Sequence, residues 1–250
     1  MRSVPSVNLK STTMRTLLAG VAILFLIGSF VLFDSCSKEH GSESQPPVIT
    51  PTVNLIPYTV LVYLVTPTDK KIDYNYYNVA KTTLQKLQGW YKTQMGNNKT
   101  FVLNSVVVDT LTGLHESSWY NDNHGPDISG SVVYAYNNVK YEMKQLLGSK
   151  FDTSLYTYFV YVSANVPDET IPRGLAVEGL NNLEGQMGTS SNFFIGMDGH
   201  ALAHALGLPE PVVETSNGIM SAAGISKYPN CVLEPLTKDS LNASPFFQVH

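Results

Sequence analysis

The sequence predicts an α/β fold in which at least some strands pair in parallel. Three segments rich in β-branched and aromatic residues have the composition of buried strands. Two segments between them carry apolar residues at three- and four-residue steps, which is typical of helices. Strands that alternate with helices favour parallel pairing, because a helix-length connection returns the chain to the same end of the sheet.

Glycine or proline marks most of the predicted element ends. Gly96 closes the first helix as a C-terminal cap, and another glycine ends the second helix. The predicted elements, in chain order, are a strand at 56–67, a helix at 73–96, a strand at 100–111, a loop at 112–130, a helix at 131–148, a strand at 155–164 and a glycine-rich loop at 167–196.

The N-terminal segment is predicted to direct the protein out of the cytoplasm. Residues 1–16 carry three basic and no acidic residues, and residues 17–33 are an uncharged, almost wholly apolar run, which is the order of a secretory signal. Cys36 follows where a lipoprotein signal would be cut and its new N-terminal cysteine acylated, so residues 1–36 are interpreted as a signal peptide that leaves a lipid anchor in the membrane. The alternatives are a transmembrane anchor, for which the run is short, and a cleaved secretory signal.

The rest of the chain is predicted to be a flexible tether and one folded domain. Residues 37–54 are rich in Ser, Pro and Glu, which is typical of a tether, and residues 55–250 are long enough for one domain with its own core. Without residues 1–36 the chain loses three of its 16 basic and one of its 20 acidic residues, which leaves a net charge of −6. Nucleic acid is therefore not expected as a partner. We expect a monomer, and a buried Cys231.

A late apolar helix carries the candidate chemistry. The segment NFFIGMDGHALAHALG, residues 192–207, predicts a helix that stops at Gly207. His200 and His204 lie four residues apart on one face, so both rings could offer nitrogen ligands to Zn²⁺. The alternative is that both histidines are core residues.

The motifs GHALAHALGLPEP and SNGIMSAAG resemble those of the metzincin clan of zinc metallopeptidases, which carries HExxHxxGxxH and, later, a tight turn with methionine. The resemblance implies that His200, His204 and Glu210 bind zinc and that Met220 is the Met-turn residue beneath the metal. It further implies a twisted mixed β-sheet with packing helices, an active-site helix and a small, irregular C-terminal subdomain. Across residues 55–248 the chain looks like small extracytoplasmic bacterial members of this group.

Two positions depart from the metzincin pattern. The family has glutamate where this chain has Ala201, and that glutamate takes a proton from the attacking water and passes it to the leaving amine. A methyl group can do neither, and losing such help costs about 10²–10⁴-fold in rate. Glu210 replaces the third histidine; a carboxylate is a good zinc ligand, although it could also be a solvent-facing loop residue. We interpret Ala201 as a natural variant rather than a laboratory substitution.

No motif position identifies a replacement base. The candidates by composition alone are Glu178, Glu184, Glu214 and Glu234. A gluzincin-like arrangement, with Glu214 or Glu234 as third ligand, fits less well because neither lies in a convincing helical stretch. We therefore expect a zinc-binding, metzincin-like protein with impaired catalysis that binds peptide or protein outside the cytoplasm. The alternatives are an active zinc-dependent endopeptidase and a surface lipoprotein that serves as a structural scaffold.

Overall fold

The computed structural model describes residues 56–249, with gaps at 97, 123, 125–133, 167–168, 172–173 and 211–215. The predicted signal with Cys36, and the tether, lie outside the described residues and stay predictions. No helix in the described part of the chain combines the length and the apolar character needed to cross a membrane.

Six strands in the described part of the chain form one mixed β-sheet. In chain order they are β1 (Thr59–Thr66), β2 (Lys99–Thr112), β3 (Tyr156–Val162), β4 (Glu169–Ile171), β5 (Leu175–Glu178) and β6 (Phe247–Val249). The strands lie in the order β4-β5-β3-β1-β2-β6. β1 pairs in parallel with β2 and with β3, and β3 with β5, whereas β4 and β6 pair antiparallel at the two edges. The predicted parallel pairing is confirmed.

Helices cover both faces of the sheet. They are α1 (Tyr74–Met95), α2 (Tyr134–Leu147), α3 (Leu180–Met187), α4 (Ser191–Ala205), α5 (Ala222–Ile225) and α6 (Pro235–Ala243), with short 3-10 helices at Ser117–Asn121 and Gly148–Lys150. Alternate side chains of β1 enter different cores: Val62 and Leu64 pack with α1, α3 and α4, and Tyr63 and Val65 pack with α2. The α/β class is therefore confirmed, with helices on both faces.

Helix α1 begins and ends at caps that the sequence contains. The Asp73 carboxylate accepts a hydrogen bond from the backbone N–H of Asn75 at 2.8 Å, which satisfies one donor of the first turn. Gly96 has φ of +69°, and its N–H donates to the carbonyl of Lys92 at 3.3 Å. Because most residues avoid positive φ, the predicted glycine cap is confirmed.

The prediction of a glycine-rich loop at 167–196 is wrong. The segment contains β4, β5, α3 and the first residues of α4. β5 has only four residues, all buried, which is too short a run to show a period. In α3 the buried face includes the polar residues Asn182 and Gln186, so the helix lacks the apolar stripe by which helices are recognised in a sequence.

Candidate metal centre

Helix α4 is anchored firmly against its neighbours. The Tyr91 hydroxyl on α1 donates to the backbone carbonyl of Gly199 at 2.7 Å, directly before His200. Gly196 faces the end of α5: a Cβ added there would lie 2.4 Å from the carbonyl oxygen of Ile225. Any larger residue at 196 would therefore push α4 away from the C-terminal region. These contacts fix the position of α4 relative to its neighbours, and with it the positions of the two histidine side chains.

Both histidines are held in one tautomer by backbone carbonyls. The Nδ1 of His200 lies 3.1 Å from the Ile219 carbonyl, and the Nδ1 of His204 lies 2.8 Å from the Leu208 carbonyl. A carbonyl oxygen can only accept, so each Nδ1 carries the proton. In the neutral ring the Nε2 atom then has a lone pair, as a metal-binding histidine requires.

Three acceptor atoms, each with a lone pair, converge beside the C-terminal half of α4. The Nε2 atoms of His200 and His204 are 3.1 Å apart, and Oε1 of Glu210 lies 3.0 Å from His204 Nε2 and 3.9 Å from His200 Nε2. The centre of this triangle is about 2.0 Å from each atom, within the range of about 2.0–2.2 Å for zinc–nitrogen and zinc–carboxylate bonds. A proton between two of these atoms gives a hydrogen bond to that pair only, whereas one divalent cation can bind all three. The donor set therefore fits zinc, and no other such cluster occurs among the described residues.

Gly207 turns the chain so that Glu210 returns to the histidines. Its φ is +102°, and its N–H donates to the His204 carbonyl at 2.8 Å. The N–H of Leu208 donates to the Ala203 carbonyl at 3.1 Å, so the turn is fixed to the end of α4. The side chain of Glu210 is 69% exposed, which leaves the third acceptor at the solvent side of the cluster. Bound zinc would supply a Lewis acid that polarises a carbonyl oxygen.

Met220 lies in a tight turn next to the histidine cluster. The N–H of Ser221 donates to the carbonyl of Gly218 at 3.0 Å, with Ile219 and Met220 at the centre of the turn. Met220 is buried in the core, and the carbonyl of its neighbour Ile219 accepts from His200. The turn thus positions a metal-ligand candidate through its backbone. The role of Met220 as a Met-turn residue stays a prediction.

Ala201 is buried and contributes to the wall of the α4 cleft, a hollow of about 200 Å³. The other residues that line this cleft are Glu178, Met197, His200, His204, Glu210 and Ile225. The methyl group of Ala201 cannot accept a proton, so the proton-handling position of the motif is vacant in this chain.

Glu178 is the functional candidate that motif reasoning missed. It ends β5, is only 1% exposed, and lines the α4 cleft together with Ala201. Its Oε2 accepts from the Asn182 amide at 2.9 Å. The sequence offers no spacing rule that joins Glu178 to α4, because the sheet brings them together.

The remaining candidates lie elsewhere. Glu184 is exposed and accepts from the Tyr76 hydroxyl at 3.1 Å, and Glu234 precedes α6; neither lines the α4 cleft. Glu214 lies outside the described residues. Cys231 is buried as predicted, and burial raises the pKa of its thiol to about 11, which keeps it unreactive at neutral pH.

A second buried polar cluster lies on a different side of α4. Asp198 Oδ2 accepts from the Tyr161 hydroxyl and from the Gln186 amide, the latter at 2.8 Å. The same Gln186 amide donates to Asn182, which in turn donates to Glu178. Burial, followed by the charge of Asp198, raises the pKa of Tyr161 well above its usual value, so this hydroxyl stays a donor. We call these five residues the Asp198 cluster.

Comparison with known proteins connects the chain to a solved fold. Neither a family model nor a curated protein matches the sequence. Among solved structures, the fold is similar to that of OgpA from Akkermansia muciniphila, a catalytically inactive form in complex with an O-glycopeptide (glycodrosocin) substrate. The TM-score is 0.52 at 15% identity, and the match covers 76% of this chain but only 61% of the OgpA chain. The predicted α/β fold, with a mixed β-sheet and packing helices, is confirmed, and it is similar to the fold of OgpA.

Proposed function

We propose that this chain is a zinc-binding, metallopeptidase-like protein with weak or no hydrolytic activity, which binds peptides or proteins in the α4 cleft. The observation that carries the proposal is the convergence of three acceptors beside Ala201. His200, His204 and Glu210 would hold the metal, while the position that should move a proton holds a methyl group. A cleft that orients a carbonyl without transferring protons binds its ligand more readily than it cleaves it.

Peptide binding is supported by the edge of the sheet. β4 is an outermost strand and contacts α4. An edge strand presents backbone N–H and C=O groups that an extended peptide can pair with. A peptide added there would lie on the edge of the sheet beside a strand that contacts α4.

A second candidate function is an active zinc-dependent endopeptidase, and Glu178 favours it. This buried carboxylate lines the same hollow as Ala201 and could accept the proton that residue 201 cannot. Such a protein would cleave peptides with Glu178 as general base. A structural surface lipoprotein is the remaining alternative.

The predicted signal peptide adds a cellular location to the proposal. A signal at 1–36 with an acylated Cys36 would anchor the protein on a membrane outside the cytoplasm and leave its cleft facing extracytoplasmic peptides. Because OgpA holds an O-glycopeptide, O-glycosylated peptides belong among the ligands to be tested.

The test combines metal content with cleavage. We expect bound zinc in the purified chain and none in His204→Ala. We expect Ala201→Glu to cleave a peptide library about 10²–10⁴-fold faster than wild type, because the substitution supplies the missing base. Cleavage by wild type that chelators abolish and Glu178→Gln removes would establish the second candidate instead. Absence of both zinc and peptide binding would leave only the scaffold alternative.

A further inference from the structure

The amino ends of the parallel strands β1, β2 and β3 lie side by side at one end of the sheet. Thr59 of β1 is paired with Tyr156 of β3 and with Val102 of β2. The N–H of Tyr58 donates to the Leu155 carbonyl at 2.6 Å, which joins the segments that lead into β1 and β3. We call these amino ends, the segments that lead into them and β6 the sheet base.

The sheet base exposes large apolar side chains. Ile56 is 65% exposed, and Val249, which pairs with Lys99 at the start of β2, is 70% exposed. The rings of Tyr58 and Phe246 meet edge to face with centroids 5.7 Å apart, so the segment before β1 contacts the segment before β6. Exposed apolar groups that lie together mark surfaces that contact a partner or a membrane.

The two ends of the sheet differ in charge. The segments that lead into β2 and β3, residues 92–99 and 144–155, carry four lysines and one acidic residue. The segments that follow β1 and β2 at the opposite end, residues 67–73 and 113–122, carry two lysines and four acidic residues. The sheet base is therefore basic, although the chain after residue 36 has a net charge of −6.

The connectivity of the fold gathers these lysines. Helices α1 and α2 each return the chain from the carboxyl end of one strand to the amino end of the next parallel strand, so both helices end at the sheet base. Lys92 and Lys144 lie in their last turns, where a cation also complements the helix dipole. Lys144 and Lys150 are exposed, and the ammonium of Lys99 donates to the Asn242 carbonyl at 3.3 Å.

A bilayer that contains anionic lipids fits this surface better than a second copy of the chain. Lysine ammonium groups attract the phosphates of lipid head groups, and apolar side chains enter the boundary of the acyl chains. Two copies facing each other through the sheet base would bring like charges together. The predicted tether, residues 37–54, spans at most about 65 Å between the predicted anchor at Cys36 and the domain, so it keeps the domain near the membrane.

We propose that the sheet base lies against an anionic lipid bilayer and holds the α4 cleft away from it. The proposal goes beyond the proposed function and rests on its membrane anchor. Glu178, which lines the cleft, ends β5 and pairs with Tyr161 of β3. Tyr161 is five residues along β3 from Tyr156, so about 17 Å of strand separates the level of the cleft from the sheet base.

The experiment adds one tryptophan at either end of the sheet in the full chain, held on vesicles through its own N-terminal segment. Val249→Trp reports on the sheet base. Leu114→Trp replaces a side chain that is 47% exposed just after β2, at the opposite end, and is the matched control. The vesicles contain equal amounts of phosphatidylcholine and phosphatidylglycerol with brominated acyl chains, which quench an indole that touches them. We expect quenching beyond that of wild type in Val249→Trp and none in Leu114→Trp.

Charge reversal tests the attraction to anionic lipid. Lys144→Glu combined with Lys150→Glu should reduce the quenching of Val249→Trp by at least about half, because the lysines are what holds the surface to the head groups. Lys70→Glu combined with Lys71→Glu changes the net charge equally at the opposite end of the sheet and should leave the quenching unchanged.

Equal quenching at the two positions, or equal losses in the two double variants, overturns the proposal. An emission change in Val249→Trp that depends on protein concentration without lipid overturns it in favour of a second copy. Failure of the full chain to remain with any vesicle contradicts the membrane anchor, and this proposal with it. Zinc and peptide binding are measured in solution without vesicles, so the proposed function of the α4 cleft can stand when the sheet base fails.

Discussion

Helix α4 carries two of the metal-ligand candidates of the α4 cleft on one side and Asp198 on another, with Glu178 shared by the cleft and the Asp198 cluster, yet the two groups of polar side chains differ in chemistry. In the Asp198 cluster the side chains are joined by donor–acceptor pairs: Asp198 Oδ2 accepts from Tyr161 and Gln186, and Glu178 Oε2 accepts from Asn182. In the cleft, His200, His204 and Glu210 turn lone pairs toward one another. Only the second arrangement places three acceptors around one point, where a single cation would satisfy them together.

The difference separates a structural polar site from a binding one. A buried network of donor–acceptor pairs stabilises the fold through its own hydrogen bonds. Three acceptors within bonding distance of one point repel each other until a cation binds. The free energy of unfolding should therefore depend on side chains alone in the first region, and on both side chains and metal in the second.

Removing Asp198 should have the largest effect on stability. Asp198→Ala leaves the Tyr161 hydroxyl and a Gln186 N–H buried without their acceptor, and each orphaned donor costs about 1–3 kcal/mol. We expect a loss of about 4 kcal/mol in urea unfolding. Glu184→Ala is the matched control, because it removes an exposed carboxylate–tyrosine bond and should cost less than about 1 kcal/mol. Similar losses in both variants would contradict a structural role for the Asp198 cluster.

Zinc should stabilise the folded chain through the cleft alone. Free zinc at 100 times its dissociation constant adds about 2.7 kcal/mol to the free energy of unfolding, because the metal binds only the folded arrangement. We expect this gain in wild type and in Asn165→Ala, which replaces an exposed residue that does not line the cleft, and its loss in His204→Ala and after chelation. Differential scanning calorimetry at two zinc concentrations measures it. A gain that survives His204→Ala would show that zinc binds elsewhere.

Much of the fold was predictable because its signals are local. The strands and helices before residue 165 show periods and caps within a few residues of sequence, and His200, Gly207 and Glu210 follow a linear motif. β5 and α3 escaped prediction because their burial depends on what packs against them. Glu178 was a candidate base by composition alone, because only the pairing of β5 with β3 brings it to the α4 cleft.

The change of stability with alkaline pH should report on Tyr91, which anchors α4, and not on the α4 cleft. Tyr91 is fully buried, which raises the pKa of its hydroxyl far above its usual value near 10. Above pH 10 the unfolded chain therefore loses a proton that the folded chain keeps, so stability falls as pH rises. We expect Tyr91→Phe to reduce this slope by up to about 1.4 kcal/mol per pH unit, measured by urea unfolding between pH 9 and 11.

Replacing two glycines by alanine has the smallest expected effect on stability. The same substitution should raise the free energy of unfolding at one position and lower it at the other. Gly89 lies within α1, and an added Cβ meets nothing within 4 Å, so Gly89→Ala should stabilise the chain by about 0.5–1 kcal/mol. Gly207 has φ of +102°, where a Cβ is strained, so Gly207→Ala should destabilise it by about 1–2 kcal/mol.

Only Gly207→Ala should also weaken zinc binding, because the turn at Gly207 is what returns Glu210 to His204. Calorimetric titration of zinc into both variants measures the difference. If Gly207→Ala loses stability but binds zinc as tightly as Gly89→Ala, the turn does not set the ligand geometry. Glu210 would then be an exposed loop residue beside a two-histidine site, and the α4 cleft would differ less from the Asp198 cluster than its three facing acceptors indicate.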